Sequence, residues 1–219
     1  EIIEQILPVK RTNSVTRNGK YAEISYDVFQ GLKVTKNRSL SLVATYRYEE
    51  LDPLFRSVVA FVQADRQQHQ IELTGGFGDI NFTLGNMRDR DNLDEITSIL
   101  KTYNRNNNVN INFSVGTLFN QAKPSKFLPR IGYTVTTIQQ FGAFLPQAGD
   151  FREVSEVPDQ ATRNHNIGAN WQFSQAFSFN YQHQRSLIDN RQIGRENADF
   201  QNTNHGFSFN FKVFKNLSL

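Results

Sequence analysis

Asn166-Ile167-Gly168-Ala169-Asn170-Trp171-Gln172-Phe173 is the stretch whose reading decides the fold. One parity carries Ile, Ala, Trp and Phe, and the other Asn, Gly, Asn and Gln. A period of two belongs to an extended strand with one apolar face, whereas a helix repeats about every 3.6 residues. Working outward, Phe177, Phe179 and Tyr181 alternate with Ser178, Asn180 and Gln182, and Phe207, Phe209, Phe211 and Val213 with Ser208, Asn210 and Lys212. Ile131, Tyr133 and Val135 oppose Gly132, Thr134 and Thr136. Val109, Ile111, Phe113 and Val115 oppose Asn110, Asn112 and Ser114. Ile80, Phe82 and Leu84 face away from Asn81, Thr83 and Gly85, and Ile71 and Leu73 from Gln70, Glu72 and Thr74. Leu40, Leu42, Ala44 and Tyr46 alternate with Ser41, Thr45 and Arg47, and Ala22, Ile24, Tyr26 and Val28 with Glu23, Ser25 and Asp27.

A soluble sandwich shows the same alternation, so the polar faces decide between the two. They are rich in Asn, Gln, Ser, Thr and Gly, which suits a wet, confined lumen better than an open surface of Lys and Glu. Bulky aromatics near strand ends resemble the girdles at the two interfaces of a transmembrane barrel. No second apolar layer is evident to cover the strands, and a lipid-facing band needs none. Only a closed barrel places strands in lipid without unpaired backbone groups. The fold class expected is therefore all-β, an antiparallel up-and-down transmembrane β-barrel.

Connection lengths test this independently. Links are short at Thr35-Lys36-Asn37, Gly75-Gly76-Phe77-Gly78, Ser174-Gln175-Ala176 and Lys215-Asn216, and long over residues 50–67, 88–97, 146–162 and 187–198. The link 118–128, with Pro124 and Pro129 near it, is intermediate. Short periplasmic turns alternating with long extracellular loops are the rule in outer-membrane barrels. Lys-Asn supplies the turn twice, in Lys33-Val34-Thr35-Lys36-Asn37-Arg38-Ser39-Leu40-Ser41-Leu42 and Lys212-Val213-Phe214-Lys215-Asn216-Leu217-Ser218-Leu219. Counting gives nine strands and the start of a tenth. An even strand number then calls for an upward strand before Tyr21 or within residues 1–18, making the chain part of a larger barrel. A complete ten-stranded barrel is the alternative. Residues 1–18 are read as part of an upstream strand or loop, and 19–219 as barrel strands.

Composition excludes several classes. Among 219 residues there are 19 Phe, one Trp, one Met and no Cys, so a disulfide framework and a thiolate metal site are both ruled out. No apolar run reaches the roughly 18 residues of a spanning helix, and Glu1-Ile2-Ile3-Glu4-Gln5 has no signal-peptide pattern; either the chain is mature or sequence precedes it. A net charge of +3 and a pI near 9.2 come from dispersed Lys and Arg, and the aromatics take the opposite parity, so nucleic acid is not an expected partner.

Asp52-Pro53-Leu54-Phe55-Arg56-Ser57 with Ala64-Asp65-Arg66, and Phe82-Thr83-Leu84-Gly85 running into Arg88-Asp89-Arg90-Asp91-Asn92-Leu93-Asp94, resemble large outer-membrane barrels of Gram-negative bacteria, particularly Bacteroidetes-type proteins. Porins, receptor-type transporters and the type IX secretion translocon share such strands. The resemblance implies an outer-membrane location and a pore or transport channel for solutes or secreted substrates. A plug domain, an energy-coupling box and a C-terminal Phe are not present in the sequence.

No catalytic or cofactor-binding residue is expected: there is no nucleophile elbow, and Gly75-Gly76-Phe77-Gly78 lacks the Lys and Ser/Thr of a phosphate loop. Glu23, Asp27, Arg47, Glu72 and Lys212 are the candidate lumen-facing charges that select solutes. Asp89, Asp91, Asp94, Phe151, Arg152 and Arg191 are candidates for loop interactions. Asp89, Asp91, Asn92, Asp94 and Glu95 cluster as calcium ligands do, yet Leu93 fills a ligand position and no Gly follows. A solvated loop with Arg88 and Arg90 paired to its acids is the plainer reading. His69, His165, His183 and His205 lack zinc spacing and are expected at strand ends near an interface. Besides the lipid bilayer, the partners expected are other outer-membrane or surface proteins. The alternative function is a structural anchor whose long loops bind them, through the loop 149–156 and that around Ile188 to Gln192.

Overall fold

The computed structural model describes residues 16–35, 38–54, 64–118, 127–143, 157–214 and 217–218. The chain is all-β. Nine long strands and a two-residue tenth form one sheet in sequence order, β1 (Gly19–Thr35), β2 (Arg38–Leu51), β3 (Arg66–Phe77), β4 (Ile80–Arg90), β5 (Thr102–Ser114), β6 (Arg130–Gly142), β7 (Asp159–Gln172), β8 (Phe177–Asn190), β9 (Phe200–Phe214) and β10 (Leu217–Ser218). Every pair is antiparallel, and β1 and β10 are the edges of an open up-and-down sheet. A one-turn helix (Val115–Leu118) and a 3-10 turn (Glu196–Ala198) are the only helical pieces among the described residues.

The order follows from the turns. A two-residue link reverses the chain after β3, and only antiparallel neighbours can be joined so tightly. Gly78, at φ +60, supplies the left-handed conformation there. Among the described residues, substantial contacts between strands join sequence neighbours alone, so these strands form a single layer. Among the described residues, Leu51 and Ala161 are the only buried apolar side chains. Ile71 is 51% exposed in the middle of the sheet and Phe209 66% exposed near its edge. Most other apolar side chains at the centre of the sheet, Phe82, Ile111, Tyr133 and Phe179 among them, are half-buried by neighbours on the same face.

Four expectations need correction. The turn after β3 is Gly78-Asp79, while Gly75 and Gly76 lie within the strand. Gly75 is there for space: a Cβ would stand 2.4 Å from Phe82 Cζ and 2.9 Å from the Ser41 carbonyl oxygen. Val115 belongs to the helical turn and not to β5, since the strand ends at Ser114. The alternation of β1 does not run unbroken through Val28, because a bulge between Asp27 and Phe29 sets Phe29 opposite Leu42. Finally, β4 runs to Arg90 and β8 to Asn190, which takes Arg88 to Arg90 and Ile188 to Asn190 out of the loops. At the end of β4 both faces are charged, and at the end of β8 Leu187 and Ile188 put an apolar residue on each face, so in both the backbone ladder continues while the hydrophobic alternation that reveals a strand disappears.

Candidate functional site

The two faces of the sheet are chemically unlike, and the register lets each be followed from strand to strand. On the apolar face, one row reads Leu42, Gly75, Phe82, Ile111, Tyr133 and Ile167 across β2 to β7. A neighbouring row carries Ala169, Tyr181 and Phe207, and the next Trp171, Phe179 and Phe209. The rings pack on one another: Trp171 and Phe179 have centroids 5.3 Å apart, Phe179 and Phe209 4.9 Å, and Tyr181 and Phe207 5.2 Å. Cross-strand aromatic pairs of this kind stabilise a sheet by roughly 0.2–1 kcal/mol each.

All four histidines of the chain lie on this face, inside their strands and not at the strand ends expected, on a line beyond which the face turns mostly polar while Tyr103, Phe141 and Leu187 still stand there. The same contact is made three times. Tyr46 Oη lies 2.8 Å from His69 Nδ1, Tyr133 Oη 3.1 Å from His165 Nδ1, and Tyr181 Oη 3.0 Å from His205 Nδ1. In each, the histidine sits two residues before the partner of the tyrosine, which is Ile71, Ile167 or Phe207. His183 Nδ1 is 3.4 Å from His205 Nδ1 and completes the series. Through the register, His205 faces His183, then Ile167, Tyr133, Ile111, Phe82 and, on β3, Gly75. His69 stands on β3 six residues from Gly75, so over the six steps from β3 to β9 the line moves about one residue per strand. With about 3.4 Å per residue and about 4.8 Å between strands, the line departs by roughly 35° from the perpendicular to the strands.

The opposite face is a ladder of amides and hydroxyls. Asn110 Nδ2 donates to Thr134 Oγ1 (3.3 Å), Asn112 Nδ2 to Asn110 Oδ1 (2.6 Å) and Gln182 Nε2 to Asn166 Oδ1 (3.3 Å). Asn170 donates to Asn180, whose Nδ2 in turn donates to Ser208 Oγ at 3.3 Å. Glu23, Asp27, Arg47, Glu72 and Lys212 all take this parity. The structure brings the first four together on β1 to β3. Arg47 Nε pairs with Glu23 Oε2 at 3.0 Å, Tyr21 donates a hydrogen bond to the same carboxylate, and Thr45, which faces Glu72, lies 3.0 Å from Ser25 through their hydroxyls. Lys212 stands apart on β9. Sequence reading missed Arg130, which faces Asn170 from β6 on this side.

Asp89, expected in a loop, is also on the polar face, opposite Gln68 and Asn104. Arg66 Nε, Gln68 Oε1, Asp89 Oδ1 and Asn106 Oδ1 are buried there without a hydrogen-bond partner among the described residues. Such atoms need water or a solute over this part of the sheet.

The remaining loop acids are divided among separate partners. Asp91 Oδ1 accepts from the Thr102 N–H at 2.5 Å, Asp94 pairs with Arg17 at 3.3 Å, and Glu95 with the buried Lys101 ammonium at 3.0 Å. The Lys101 ammonium beside it holds the Glu95 carboxyl below the usual carboxylate range. Asn92, at φ +50 and 1% exposed, folds the loop: its Oδ1 accepts from the Ile96 N–H at 2.8 Å, and its Nδ2 donates to the Ile96 and Ile99 carbonyls, both at 2.9 Å. Among the described residues no three His, Cys, Asp or Glu side chains are grouped to hold a metal. Arg191 Nε pairs with Asp189 Oδ2 at 2.8 Å. Phe151 and Arg152 lie outside the described residues. The recurrent Tyr and His contact was not foreseen; its signal is His-x-Ile or His-x-Phe, at 69–71, 165–167 and 205–207.

No family model matches the chain, and neither a curated protein nor a solved structure matches it.

Proposed function

We propose that this sheet is part of a β-barrel in a bacterial outer membrane, its apolar face against lipid and its polar face around an aqueous lumen that passes solutes or secreted substrates. The observation that carries the reading is the uncovered apolar face with its oblique edge. A membrane boundary is flat, and strands in a barrel tilt by about 35–45° from its axis, so a boundary must cross successive strands at a slant. The histidine line slants by roughly 35° on the spacings of an ordinary sheet. A soluble core has no reason to end along such a line. Tyrosine and histidine suit the edge, since each presents an apolar body with a polar tip.

The polar face supports a lumen. Its Asn, Ser, Thr and Gly side chains are small, while the other face is bulky, an asymmetry that favours curling with the polar side inward. Its partnerless buried atoms call for water. Glu23, Asp27, Glu72 and Arg47 would then bias ion passage on one wall.

Conductance in planar bilayers tests the reading. The protein is expected to give open channels, and Arg47→Glu, which removes the one cation of this cluster, to shift selectivity toward cations. A protein that inserts yet stays silent, and co-purifies with a surface protein, would overturn the channel in favour of an anchor.

A further inference from the structure

Just beyond the histidine line, on the same face, stand Arg88 on β4, Arg105 on β5, Arg163 on β7 and Arg185 on β8. Arg163 comes two residues from His165 and Arg185 two residues from His183, so these guanidinium groups occupy the next outward position after the boundary. All four are exposed. None has a carboxylate oxygen within 4.0 Å among the described residues; the ion pairs formed there use Arg17, Lys20, Arg47, Arg66, Lys101 and Arg191. Carboxylates on this face are already engaged: Glu50 with Lys20 at 2.6 Å and Asp189 with Arg191 at 2.8 Å, while Asp159 accepts from Gln139 at 3.5 Å.

Arg88 and Arg105 are direct cross-strand partners, and Arg185 faces His165. Like charges placed opposite one another destabilise a sheet unless an anion lies between them. Arg105 is also held in place, its guanidinium 4.9 Å from the Phe141 ring centroid. Arg163 lines a cleft of about 580 Å³ with the apolar Ala161, Leu187 and Phe200; its two carboxylates are engaged, Asp189 with Arg191 and Asp199 with the Asn190 N–H.

We infer that this arginine row binds the phosphate groups of lipid headgroups in the leaflet on the long-loop side, an inference that rests on the membrane reading above. A guanidinium fork matches a phosphate in two parallel hydrogen bonds. The acyl chains of the same lipid lie against Tyr133, Ile167, Tyr181 and Phe207, so one amphiphile satisfies both sides of the histidine line. A soluble phosphate has no use for the apolar half. A protein partner would have to cover the apolar band as well as the arginines, and a bilayer does so already.

The test reconstitutes the protein into phosphatidylcholine nanodiscs carrying a minor fraction of lipid A, with its two phosphates, or of dephosphorylated lipid A, and measures by mass spectrometry the glycolipid it retains on detergent extraction. The wild type is expected to retain the phosphorylated form at least about tenfold over the dephosphorylated one, each basic residue near a charged headgroup layer contributing to the preference. Arg88→Gln, Arg105→Gln, Arg163→Gln and Arg185→Gln combined should abolish the preference, and the pair Arg163→Gln and Arg185→Gln should halve it or more. Protease protection in the same discs shows whether each variant has inserted. A preference that survives the substitutions, or that millimolar inorganic phosphate displaces, overturns the inference. Insertion with no preference in the wild type overturns it alone, whereas failure to insert into any disc removes the membrane reading with it.

Discussion

At the scale of single residues, two positions carry structural roles that substitution will expose. Asn92 combines a left-handed backbone with three side-chain hydrogen bonds inside the loop after β4. Asn92→Ala is expected to loosen residues 91–101 by about 2–3 kcal/mol, the cost of stranding buried backbone groups, read as faster amide exchange confined to that loop. Unchanged exchange would mean the loop is held from elsewhere. At Gly75, alanine would place a methyl group 2.4 Å from the Phe82 ring. Gly75→Ala is expected to lower stability by about 1–3 kcal/mol in denaturant titration, with Phe82→Leu recovering part of the loss. A neutral Gly75→Ala would show that the ring moves aside freely. The parity of Glu23, Arg47, Glu72 and Lys212 was legible in the sequence because each alternates with an apolar neighbour. The parity of Asp89 was not. In Arg88-Asp89-Arg90-Asp91 the two faces are both charged, so the run looks like a loop although Arg88 to Arg90 are paired on both sides.

At the scale of elements, the apolar middle of every strand was readable and the outer ends were not. β5 begins at Thr102 and passes through Asn104, Arg105, Asn106, Asn107 and Asn108 before its first aliphatic residue, Val109. Asn is a poor strand former in isolation, and here the ladder to β4 and β6 overrides that preference. The hairpin of β4 and β5 is closed outside the sheet by Lys101 and Glu95. Because the Glu95 carboxyl is held below its usual range, this contact contributes above the ordinary carboxylate pKa and is lost as pH falls through the lowered value. Proteolysis of the loop 91–101 is therefore expected to accelerate on acidification, and Glu95→Gln to be cleaved at neutral pH as readily as the acidified parent. Equal resistance of parent and variant at every pH would remove the contact from the account. The His-x-apolar signal inside β3, β7 and β9 becomes visible only when strands are placed in register, since each histidine meets its tyrosine on the preceding strand.

At the scale of the whole molecule, the central claim is that hydrocarbon covers the aromatic face and water the amide face, with the histidines at the level where one gives way to the other. The chain contains no cysteine, so single cysteines can be introduced and labelled without background. The most direct measurement is a nitroxide scan of β8 from Phe177 to Arg185 in proteoliposomes, comparing collisions with oxygen, which concentrates in lipid, and with a water-soluble nickel chelate. Labels at 177, 179 and 181 should favour oxygen, labels at 178, 180 and 182 should favour nickel, and the oxygen preference should end between 183 and 185. Nickel accessibility at every position, or protection of 177, 179 and 181 from both reagents as in a packed protein core, would contradict the account.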